Sequence, residues 1–137
     1  MLAFDFGTRR IGVAVGQTLT RSASAAGTLA AHAGSADWAA VDTCIARWAP
    51  RRLLVGLPYN MDGSETTTTA ACRAFGEQLA RRCGLPVEFV DERLTSAAAY
   101  DELRSERRSG ARARRIRPGD IDANAARLIL ETWMQDQ

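Results

Sequence analysis

The chain has 137 residues and a net charge of +2, with 46% hydrophobic and 25% charged residues. That is enough apolar side chain for one packed domain over residues 1–137, and too much for global disorder. No apolar run approaches the roughly 18–20 residues of a membrane span, and no basic stretch precedes an apolar one at the N-terminus. Neither a membrane anchor nor a secretory signal is therefore expected.

Three cysteines (Cys44, Cys72, Cys83) in no CxxC spacing fit a reduced, cytoplasmic protein rather than a disulfide frame or a zinc site. His32 is the single histidine, which leaves little for a Ser–His triad or a His-rich metal centre. Asp and Glu must carry the chemistry.

In chain order, residues 2–6 read as a strand and 11–16, "IGVAVG", as a second. The "GTR" between them is short enough for an antiparallel hairpin. Residues 22–30 are ambiguous between strand and loop. Trp38, Val41, Ile45 and Trp48 then fall at helical spacing until Pro50 ends the pattern. "RLLVGLP" (52–58) is the continuous apolar run of a strand buried on both faces.

Residues 66–83 predict a helix with Ala71, Phe75 and Leu79 inward and Gly84 as its stop. "VEFVDE" (87–92) predicts a further strand, and Thr95 or Ser96 can cap a helix to about Glu106. Residues 107–119 have no apolar period and read as a mobile loop. A last helix follows from about Asp120 to Met134, with Ile121, Ala125, Leu128 and Trp133 inward. A hairpin followed by alternating helices and strands implies an α/β fold, a mixed sheet with helices on its faces. Ligands in such sheets bind at the carboxyl ends of the parallel strands.

All 18 basic residues are arginine, and their distribution is uneven. Between Arg104 and Arg117 lie seven arginines against one acid, a +6 segment that leaves −4 for the rest of the chain. A basic block on an otherwise acidic domain points to a polyanion, and the guanidinium fork matches phosphate.

The acids stand where a site belongs. Asp5 ends the first strand, Asp91 and Glu92 end the last, and Asp122 lies in the first turn of the final helix. Several carboxylates converging on hard divalent cations is the arrangement of two-metal phosphoryl chemistry. Each also has a plainer role. Asp5 can accept turn hydrogen bonds, Asp91 or Glu92 can pair with Arg93, and Asp122 suits the helix dipole. Alternation puts Asp91 and Glu92 on opposite faces, so only one of them can point to a site.

"DFGTRRIGVAVG", "LLVGLPYNMDGSE", "VDERLTS" and "DIDANAARLILE" together, over essentially the whole chain, resemble the YqgF/RuvX family. These are small bacterial RNase H-like nucleases, known as Holliday junction resolvase-like proteins and linked to maturation of the 5′ end of small-subunit ribosomal RNA. The resemblance implies an RNase H-like fold with a five-stranded mixed sheet, order 3-2-1-4-5, strand 2 antiparallel. It places the catalytic, metal-holding carboxylates on Asp5, Glu92 and Asp122, with two magnesium or manganese ions as cofactors. It sets Asn60, Asp62 and Gly63 in a loop beside the site.

Arg9, Arg10, Arg93, Arg107, Arg108, Arg112, Arg114, Arg115 and Arg117 are the candidate nucleic-acid contacts. A structural ion pair is the alternative for Arg10 and Arg93. Arg9 stands where the family commonly has Lys. The implied function is a metal-dependent nuclease of the cytoplasm acting on the 5′ end of pre-16S rRNA, as a monomer or weak homodimer.

Three alternatives remain. One is a resolvase of branched DNA. Another is a non-catalytic RNA-binding factor in ribosome assembly or transcription. The third is an actin-like or sugar-kinase-like ATPase, which shares a "DFGT" hairpin but needs two such domains.

Overall fold

The computed structural model describes residues 1–32, 34–94 and 118–137. The helix expected after Thr95 or Ser96 and the arginines Arg104, Arg107, Arg108, Arg112, Arg114, Arg115 and Arg117 lie outside the described residues.

Strand β1 (Leu2–Phe6) and strand β2 (Arg10–Gln17) form the expected antiparallel hairpin, with Asp5 opposite Gly12. The ambiguous third segment is a strand, β3 (Ser22–His32), antiparallel to β2. A two-residue strand, β4 (Ser35–Ala36), adds to its far edge. On the other side of β1 lie β5 (Leu53–Leu57) and then β6 (Val87–Asp91), both parallel. The order is β4-β3-β2-β1-β5-β6. The sheet thus has six strands where five were expected, because a two-residue strand carries no periodicity to read. The order of the other five is as expected.

Helix α1 (Trp38–Trp48) starts at Asp37, whose carboxylate accepts from the Ala40 N–H at 3.2 Å, and stops at a left-handed Ala49 ahead of Pro50. Helix α2 (Thr67–Cys83) opens on a capping box between Thr66 and Thr69 and closes on Gly84. Its inward residues are Thr69, Cys72, Phe75, Gly76 and Leu79, whereas Ala71, expected inward, is exposed. The buried stripe runs through Cys72, one position along from Ala71. Helix α3 (Pro118–Gln135) starts two residues before the expected Asp120, since proline suits a first helical position. Asp122 is therefore the fifth residue of the helix and not part of its first turn. Ile121, Ala125 and Trp133 are buried as expected and Leu128 is half-buried.

Two cores flank the sheet. Leu2, Phe4, Phe6, Val55 and Leu57 face α1 and α2. Phe75 anchors that layer, stacked on Phe6 (4.8 Å) and Trp38 (5.6 Å) and edge-on to Phe4 (5.8 Å). Replacing Phe75 by Ala should cost about 3–5 kcal/mol of unfolding free energy, read by urea denaturation. On the opposite face Ala3, Ala14, Leu54 and Val90 pack against Ala126, Ile129, Leu130, Trp133 and Met134 of α3. Small residues in β1 and β2 let this helix lie close to the sheet.

Candidate active site

Side-chain alternation places Asp5 on the α3 face, two residues on from Ala3, while Phe4 and Phe6 point to the other core. A glycine flanks Asp5 on each neighbouring strand. Gly12, its partner in β2, would drive a Cβ to 1.9 Å from the Asp122 carbonyl oxygen, so the missing side chain is what admits the α3 backbone there. Gly56 lies one step beyond the Phe4–Val55 pair, level with Asp5 on β5. A Cβ there would sit 3.2 Å from the Glu92 carboxyl carbon and 2.5 Å from the Ile129 side chain. Both clearances open on the face that Asp5 occupies.

Strand β6 ends at Asp91, one residue short of the expected Glu92, which begins a single 3-10 turn (Glu92–Leu94). Val90 belongs to the α3-facing core. Glu92 continues on that face, as its contact with the Gly56 position shows. Asp91 turns the other way and is taken by Arg93. The Arg93 Nε and Nη2 donate to its carboxylate at 2.6–3.1 Å and the Arg93 backbone N–H adds a bond of 2.9 Å.

Hydrogen bonds from Arg93 hold the Asp91 carboxyl below its ordinary value of 3.8, against an upward push from burial. The charged form thus favours the folded chain at neutral pH. That contribution is lost as the pH falls past 3.8 towards the lower folded value. Asp91→Asn should flatten this part of the acid limb, seen as a shallower fall in denaturation midpoint between about pH 5 and pH 2.

Asp122 is tied to Arg10, whose Nε donates to its carboxylate at 2.6 Å. Arg10 begins β2 and Asp122 packs over Gly12, so the pair clasps α3 to the sheet beside Asp5. Arg9 is exposed. The buried thiol of Cys72 feels the charges of Asp5 and Glu92. Burial pushes it up to about 12, and the charges of Glu92 and Asp5 add to the push.

The loop from Pro58 to Glu65 walls the same end. The Asn60 N–H bonds the Ser64 carbonyl (3.0 Å), and the Asn60 amide donates to the Ser64 hydroxyl (2.9 Å). Asp62 accepts from the Ser64 hydroxyl (2.6 Å) and backbone N–H (2.9 Å), which hold its carboxyl below the usual range. Gly63 has φ +90°, and a Cβ there would meet the Arg93 guanidinium at 3.1 Å. Arg93 also lies over the Tyr59 ring at 5.2 Å, so it joins the loop to the end of β6. Buried Thr69 fixes the loop to α2 by donating to the Pro58 carbonyl. Arg73 braces it through Tyr59 and Glu65.

Sequence reasoning missed Tyr59, Arg73 and Thr69 as loop supports. It also missed Gly12 and Gly56 as the clearances around Asp5, for which the signal was a glycine inside each apolar strand.

Asp5, Glu92 and Asp122 thus share one face and one end of the sheet. Among the described residues no group of three His, Cys, Asp or Glu is placed to hold an ion together, and the Asp122 carboxylate is turned to Arg10. The donors are nevertheless all carboxylate oxygens, the chemistry of magnesium or manganese rather than of zinc. The two glycines let Asp122 and Glu92 approach the strand that carries Asp5, and this all-oxygen donor set fits such an ion once Asp122 leaves Arg10.

An open mixed sheet with an antiparallel second strand, crossed by a helix on its acid-bearing face, is the RNase H-like arrangement. The fold matches that of a solved structure, T. thermophilus RuvC in complex with Holliday junction substrate, with TM-score 0.53 and 16% identity over 99% of this chain and 96% of that one.

The chain belongs to the RuvX family, described as Holliday junction resolvase, whose model matches residues 1–136. It is 48% identical over 136 residues to a protein of Coxiella burnetii (strain Dugway 5J108-111), covering 99% of this chain and 92% of that one. It is 49% identical over 137 residues to one of Nitrosococcus oceani, covering 100% and 87%. Both relatives are provisionally named pre-16S rRNA nuclease.

Proposed function

We propose that residues 1–137 form a single nuclease domain that hydrolyses phosphodiester bonds with divalent metal, and that its substrate is the 5′ end of pre-16S rRNA. The observation that carries this reading is the pair of clearances at Gly12 and Gly56, which set Asp122 and Glu92 on either side of Asp5. The names of the relatives support the choice of RNA. A cytoplasmic site of action accords with that substrate, and among the described residues no helix is long and apolar enough to cross a membrane.

Asp5, Glu92 and Asp122 would hold magnesium or manganese, Asp5 being central. The bound ions would supply activation of water and neutralisation of charge at the leaving 3′-oxygen. Arg10, once parted from Asp122, would bind the phosphate. Arg93 keeps the loop over Asn60, Asp62 and Gly63 against the end of β6. Together with Arg9 and the arginines of residues 107–117, these cations would bind the backbone without regard to sequence.

The test is cleavage by the purified chain with manganese, offered a 5′-extended 16S precursor, an unrelated single-stranded RNA and a four-way DNA junction. Preferred cutting of the precursor is expected, with a monomer sufficing. Symmetric cutting of the junction by a dimer would overturn the choice of RNA, since two equivalent sites are needed for that reaction.

A further inference from the structure

A cavity of about 520 Å³ lies at the far end of the sheet from Asp5, where the loop after β2 meets the end of α1 and the start of β5. β1 spans the gap between the two places, about 13 Å at ~3.3 Å per residue. The volume falls in the usual range of small-ligand sites, about 300–1,000 Å³.

Two tryptophans and two arginines line this cavity. Trp48 lines the cavity and is 38% exposed. Trp133 is the reverse: it is 7% exposed, and its buried Nε1 has no hydrogen-bond partner among the described residues. Such an orphaned donor costs free energy until an acceptor reaches it. The Arg52 guanidinium lies 5.2 Å from the Trp133 ring and that of Arg47 lies 5.3 Å from Trp48. Arg51 is exposed and in no ion pair among the described residues, and Arg52 meets only Glu88, at 3.7 Å. Leu19, 98% exposed, forms the opposite lip.

An open aromatic face beside arginines is the recognition chemistry of single-stranded nucleic acid, with bases stacking on the ring and phosphates meeting the guanidinium groups. We propose that this cavity is a second binding site, taking a nucleotide of the single-stranded RNA that flanks the point of cleavage. The base stacks on Trp48, and the phosphate meets Arg51 and Arg52. The site rests on the nuclease reading only for the identity of the strand. It would hold the substrate at a distance from the carboxylates.

The test measures binding apart from cleavage. Single-stranded RNA of about 25 nucleotides is titrated by fluorescence anisotropy, in metal-free buffer, into the full chain and into Trp48→Ala and Arg51→Ala. Both changes are at exposed positions, so folding is retained and is checked by circular dichroism. Each is expected to weaken binding about tenfold. Arg51→Ala should also lower the slope of log affinity against log salt by about 0.7.

Unchanged affinity in both variants overturns the site, whatever the chain cleaves. Adenosine monophosphate binding as tightly as the strand, and losing affinity in the same variants, would also overturn the proposal, by making the site one for a free nucleotide. Weakened RNA binding in a chain that cleaves nothing would leave this site standing and remove the nuclease reading instead.

Discussion

Asp5→Asn should leave the chain folded and its cleavage rate about 100-fold lower or worse. Asparagine has the shape of aspartate, and position 5 keeps its backbone pairing with β2, so the sheet is undisturbed. What changes is the charge. A neutral amide is a poor ligand for a hard cation and offers one oxygen instead of two. Circular dichroism should therefore match the wild type while manganese-dependent cleavage of the precursor falls. Glu92→Gln and Asp122→Asn should follow in the same direction. Wild-type cleavage by Asp5→Asn would remove Asp5 from the site.

The second large effect is structural. Gly12→Ala should destabilise the chain by about 3 kcal/mol or more and abolish activity with it, because the new methyl meets the backbone of Asp122 at 1.9 Å. No rotamer change relieves a contact with a main-chain oxygen, so α3 must move off the sheet. The Arg10–Asp122 pair, 2.6 Å in length, must stretch with it. Gly16→Ala is the control. Its Cβ would meet only the side-chain ends of Leu130 (2.5 Å) and Met134 (2.8 Å), which can turn aside. Thermal unfolding should place Gly12→Ala well below Gly16→Ala; equal melting temperatures would mean that α3 is not seated on Gly12 as described.

Much of this arrangement was legible in the chain. The hairpin from Leu2 to Gln17 declares itself by two apolar runs around a three-residue turn, and the uniformly buried β5 by an unbroken apolar stretch. The ends of α2 were marked by Thr66 and Gly84. Elements without local chemistry were not legible. β4 pairs through two backbone positions only, and the inward face of α2 runs through Thr69, Cys72, Phe75, Gly76 and Leu79 and leaves Ala71 outside. Pro118 was read as part of a loop because residues 107–119 have no apolar period, although proline favours a first helical turn.

The candidate site divides in the same way. Asp5, Glu92 and Asp122 could be named from motifs. Their placement depends on absent side chains at Gly12 and Gly56, an effect of the third dimension that periodicity does not record. The separation of Asp91 from Glu92 follows from strand alternation at Val90 and from the fork of Arg93 around Asp91. The Arg10–Asp122 contact joins residues 112 positions apart and had no sequence signal beyond the two charges themselves.

Manganese binding measured directly, by electron paramagnetic resonance of the free ion during titration of the chain, tests the central claim most closely. Wild-type chain should bind manganese, while Asp5→Asn, equally folded, should bind it at least tenfold more weakly, as expected on loss of a carboxylate ligand. Equal manganese binding by the two proteins, or none by the wild type with its fold intact, would contradict the assignment of Asp5, Glu92 and Asp122 as the metal-holding carboxylates.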